Sequence, residues 1–127
     1  MQRPFSVILL GTALATPVVH AADIVPIDWS NTGSFERELT VPAGKFAEVC
    51  GKLPGPSTVA WAFETDAPTE FNVHYHEGKQ VTYPARLTSV TQASGLLQVD
   101  ATRDYCWMWT NKTGNEARLK LTLKQAR

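Results

Sequence analysis

Apolar and polar side chains alternate with period two along most of this chain, and that alternation constrains the fold more than any other feature. Tyr105, Trp107 and Trp109 alternate with Cys106, Met108 and Thr110. Leu119, Leu121 and Leu123 alternate with Arg118, Lys120, Thr122 and Lys124. Phe71, Val73 and Tyr75 alternate with Asn72, His74 and His76, and shorter runs repeat the pattern at Phe35–Val41, Trp61–Glu64 and Leu97–Asp100. Successive side chains of a strand point to opposite faces, so this is the pattern of half-buried strands rich in β-branched and aromatic residues. Turn residues punctuate the runs: Pro42-Ala-Gly44, Pro54-Gly-Pro56, Asp66-Ala-Pro68, Glu77-Gly78, Ser94-Gly95 and Lys112-Thr-Gly-Asn115. No stretch keeps a helical period beyond two turns. Seven or eight short strands in about 100 residues predict an all-β, antiparallel β-sandwich.

Residues 1–21 carry the marks of a secretory signal. Arg3 precedes a short apolar run from Phe5 to Ala15, Pro17 interrupts it, and Val19-His20-Ala21 suits cleavage after Ala21. The run is too short for a stable membrane span, and nothing after it reaches the ~20 apolar residues a span requires. The expected location is therefore periplasmic or secreted, with no membrane span after cleavage. Residues 22–34 read as an irregular lead-in and residues 35–127 as a single domain. Cys50 and Cys106 both lie in that domain. An even cysteine count in an exported chain argues for one disulfide, and the pair does not have the Cys-x-x-Cys spacing of a redox centre.

The charges balance, with 12 Lys plus Arg against 12 Asp plus Glu. A nucleic-acid partner is not expected without a basic excess, and the apolar content excludes a disordered chain.

Trp61-Ala-Phe63, Phe71-Asn-Val73, Val81, Pro84, Gly95 and the Tyr105-x-x-x-Trp109-x-Asn111 segment follow one another in an order that resembles the GOLD β-sandwich module of the p24 proteins. The resemblance covers roughly residues 36–125 and includes the places of both cysteines, which are bridged in that family. It implies a GOLD-like or jelly-roll-like sandwich used for protein–protein contact, with no catalytic residues. The coiled coil, membrane span and sorting tail of the p24 proteins have no counterpart here, so cargo sorting is not implied.

One short segment concentrates chemistry. After signal cleavage the only histidines are His74 and His76, and the only methionine is Met108. His-x-His on a strand puts two imidazoles on one face, ~6.5–7 Å apart in Cα, within reach of one ion. Nitrogen and thioether donors together suit copper, and zinc less well, with Met108 or Glu77 completing the shell. The plainer reading is a polar strand face beside core tryptophans. No nucleophile motif or paired-carboxylate spacing marks an enzyme. The expectation is thus a non-enzymatic binding module, requiring no cofactor, that meets an unknown protein partner through Asn72, His74, His76 and Glu77. The alternative is a periplasmic copper or zinc protein. Tyr75, Tyr83 and Arg86 are candidates for a surface patch. Asn111-Lys-Thr113 fits a glycosylation acceptor, but Asn111 reads better as a turn residue bonded to local backbone.

Overall fold

The computed structural model describes residues 24–126 and Gly11. The signal segment expected over residues 1–21 otherwise lies outside the described residues. Among the described residues there are seven strands and no helix: β1 (Ile24–Pro26), β2 (Ser34–Val41), β3 (Phe46–Leu53), β4 (Ser57–Glu77), β5 (Gln80–Val99), β6 (Arg103–Thr110) and β7 (Ala117–Ala126). They form one sheet in the order β1-β3-β6-β4-β7-β2, with β5 alongside β4. All pairs are antiparallel except β1 with β3.

The sheet curls into a sandwich because β4 serves two layers. Residues 58–65 of β4 pair with β7, residues 70–74 pair with β6, and β5 follows β4 on its other edge. One wing thus holds β2, β7 and the first part of β4, and the other holds β1, β3, β6 and the second part. Between them the β4–β5 register shifts at Glu64/Thr69 and again at Thr69/Phe71. Pro68 contributes no N–H to a ladder there. Asp66 Oδ1 instead accepts the backbone N–H of Arg118 at 2.7 Å, and Thr65 Oγ1 donates to the Ala67 carbonyl at 3.0 Å. The Asp66-Ala-Pro68 signal, expected as a turn between strands, is therefore a bulged bend within one strand.

Two further expectations are corrected. Ser94-Gly95 does not open a strand but lies inside β5, where Gly95 faces Trp61. A Cβ at Gly95 would fall 2.6 Å from Trp61 Cζ2, so the glycine is there for close approach. The lead-in contains β1, and Ile27 N extends its pairing by donating to the Cys50 carbonyl at 3.0 Å. By contrast, the Glu77-Gly78 turn is where it was expected. Gly78 takes a positive φ of 58° in the two-residue link from β4 to β5.

The alternating apolar positions line the interior. Trp107, Trp109, Phe71, Val73, Val49, Leu121, Leu123 and Val41 are fully buried. The wings meet through aromatic contacts, with Phe63 4.5 Å from Phe71 and edge-on to Trp109 at 5.6 Å between ring centroids. Burying one such aromatic gains on the order of 5 kcal/mol. For each tryptophan that outweighs the roughly 1–3 kcal/mol cost of an Nε1–H left without a partner among the described residues, as in Trp107 and Trp109.

Candidate functional site

The faces opposite Trp107 and Val73 carry the residues singled out in the sequence. Across β3, β6 and β4, Cys50 pairs with Cys106 and Cys106 with His74. In the next row Glu48 pairs with Met108 and Met108 with Asn72, which on its other side pairs with Arg86 of β5. The expected disulfide is present between Cys50 and Cys106, with a Cα–Cα distance of 4.2 Å. His74, His76, Met108 and Asn72 therefore share one outer face, with the bridge at its centre.

His74 is 6% exposed although it points away from the core. Its Nδ1 lies 2.7 Å from Asn72 Oδ1. A carbonyl oxygen only accepts, so Nδ1 carries the proton and Nε2 is left bare in the neutral ring. Glu48 Oε1 lies 3.7 Å from that Nε2. The exposed His76 stands edge-on to His74, with ring centroids 5.2 Å apart, and Tyr83 lies 6.0 Å away. Burial pushes the His74 imidazole below its ordinary value of 6.5, Glu48 opposes that shift and His76 adds to it. Tyr83 is in turn covered by the Arg86 guanidinium, 4.3 Å from the ring centroid.

Glu77 does not join this face. Its carboxylate lies 3.0 Å from Arg103, whose guanidinium stacks on Tyr75 at 4.3 Å and also contacts Asp100 at 2.8 Å. Tyr75 likewise turns to this second cluster, packing against Tyr105 at 5.1 Å. Parity explains both, since an odd position on β4 faces away from His74 and His76. Glu48, which the sequence reading missed, takes the place near the imidazole. Its signal was available: Glu48 precedes Cys50 by two and Met108 follows Cys106 by two, so a bridge between antiparallel strands sets Glu48 opposite Met108.

Among the described residues, the set of three His, Cys, Asp or Glu donors within metal-binding distance of one another is Glu48, Cys50 and Cys106, and the bridge consumes both sulfurs. Asn111 is structural. Fully buried, its Nδ2 donates to the carbonyls of Val41 at 3.0 Å and Asn115 at 2.7 Å, while its Oδ1 accepts Thr113 N–H at 3.0 Å. The amide of the glycosylation pattern is thus spent inside the fold.

Fold and cross-link together define a small β-sandwich domain stapled by one disulfide. No family model and no curated protein matches the sequence. Solved structures do match. PliG of Aeromonas hydrophila, a periplasmic inhibitor of g-type lysozyme, superimposes with a TM-score of 0.57 at 12% identity over 81% of this chain and 96% of that one. PliG of Salmonella Typhimurium gives 0.56 at 10% identity over 81% and 97%. The pre-peptidase C-terminal domain of a Bacillus anthracis collagenase gives 0.63 at 8% identity over 80% and 95%. At these identities the likeness is one of fold. No helix of the described residues is long and apolar enough to cross a membrane.

Proposed function

We propose that this chain is an exported, non-enzymatic module that binds a protein through β5 and the adjoining histidine face. One observation carries the reading. Val81, Tyr83, Leu87 and Leu96, four of the five large apolar side chains that stand exposed among the described residues, all lie on β5. Natural edge strands are guarded by charges, proline and bulges. Over its 20 residues this one carries a single charge, Arg86, and a single proline, Pro84. Its pairing among the described residues is with β4 alone. Such an edge offers main-chain groups to a partner strand, while Tyr83 and Arg86 are residue types enriched at interface centres.

The signal segment and the disulfide support export to the periplasm or beyond. The GOLD resemblance belongs to the same proposal, since it also describes a sandwich used for protein contact. The PliG neighbours make a lysozyme the first partner to try.

The test is calorimetric titration of the exported chain against g-type lysozyme and other lysozyme classes, alongside a Tyr83→Ala, Arg86→Ala double variant. The expected result is binding to one class that weakens at least tenfold in the variant. Equal binding by both proteins would move the contact off β5. If no lysozyme binds, a photo-crosslinking residue at position 83 in the native compartment decides the wider claim. A protein adduct there, absent from the same probe at position 64, supports it, and no adduct refutes it.

A further inference from the structure

The histidine face holds a second arrangement that protein contact does not require. Glu48 is mostly covered, with its side chain 16% exposed, and the one basic side chain within 4.0 Å of its carboxylate among the described residues is His74. The two groups stand 3.7 Å apart, too far for a hydrogen bond. With Nδ1 committed to Asn72, a bare nitrogen lone pair and a carboxylate oxygen face one another across that gap. Two Lewis bases so placed can hold a cation between them. A transition-metal ion roughly 2.0–2.2 Å from each would subtend roughly 125° across the observed separation, close to trigonal or tetrahedral coordination. Asn72 is the kind of partner that fixes the tautomer of a ligating histidine. Met108, the one methionine after residue 1, lies in register between Glu48 and Asn72. A thioether is the sulfur donor left once both thiols are oxidised, and it favours copper(I).

We infer that His74, Glu48 and Met108 form a binding site for a single copper ion, oriented by Asn72 and flanked by His76. Glu77 has no part in it. The site goes beyond the proposed protein contact and does not depend on it.

The exported chain is titrated with Cu(I) against a chromogenic chelator, and separately with Cu(II) and Zn(II). One equivalent of Cu(I) per chain is expected. Glu48→Gln and Met108→Leu should each weaken binding at least tenfold, with unchanged circular dichroism. Long-range 1H–15N spectra of the metal-free chain should place the proton of His74 on Nδ1, and added Cu(I) should shift Nε2. Four results would each overturn the assignment: no stoichiometric binding of Cu(I), wild-type affinity in Glu48→Gln, zinc binding that ignores Met108→Leu, or a proton on Nε2 in the metal-free chain.

Discussion

The two halves of β4 have equivalent inner faces and very different outer ones. Inside, Trp61 and Phe63 of the first half meet Phe71 of the second, and all three are buried. Outside, the first half exposes Ala62 and Glu64, and a shallow groove there is bordered by Glu38, Glu64, Asp66, Arg118 and Lys120. That is a solvated face of mixed charge. The second half buries an imidazole on its outer face, where among the described residues no further strand layer covers it. Desolvating such a group works against folding. The first half shows that the sandwich closes well without it, which points to a use for the second half beyond architecture.

The comparison can be broken experimentally. The largest effect is expected from Cys50→Ala with Cys106→Ala, because the bridge spans a sequence separation of 56 and belongs only to the histidine wing. Loss of about 4 kcal/mol is expected from loop entropy, read from urea unfolding. The His74 resonances should shift while those of Leu121 and Leu123 persist. In the other wing, Gly95→Ala should cost about 2 kcal/mol through overpacking against Trp61, visible as a lower unfolding midpoint. A smaller effect should follow pH. The folded chain binds a proton at His74 less readily than the unfolded chain, so this contribution is complete above about pH 6.5 and is lost as the pH falls below it. Glu48 from β3 and His76 from β4 face the ring, with Tyr83 and Arg86 beyond it on β5. Urea midpoints of wild type and His74→Gln, compared at about pH 7.5 and pH 5, should converge at the acid end. The smallest effect is expected at Glu64→Ala, less than about half a kcal/mol. A larger loss would give the first wing a structured outer face of its own.

Period two sufficed to name the core, because Trp107, Trp109, Phe71, Val73, Leu121 and Leu123 follow it without interruption. Strand length was harder to read. Asp66-Ala-Pro68 has the composition of a turn, yet a bulge uses the same residues to bend a strand without ending it. Gly95 was misread for a related reason: its lack of a side chain answers Trp61 across the ladder, not a change of chain direction. The parallel pairing of β1 with β3 depends on tertiary packing that a three-residue strand does not announce. At the site, parity placed Asn72, His74 and His76 on one side of their strand and Met108 on the side of Cys106, but that the two strands are neighbours is set by the tertiary pairing of β4 with β6. Glu48 needed the cross-strand register, and the placing of Glu77 beside the histidines overlooked its odd position.

The β4–β5 hairpin runs unbroken through both layers, so its free margin is bent where the layers part. A ribbon long enough to follow all of β5 must bend at the same place. On the contact proposed above, that margin would select by shape: a stiff, straight segment would fit one wing at most, and only a segment that can kink midway would fit both.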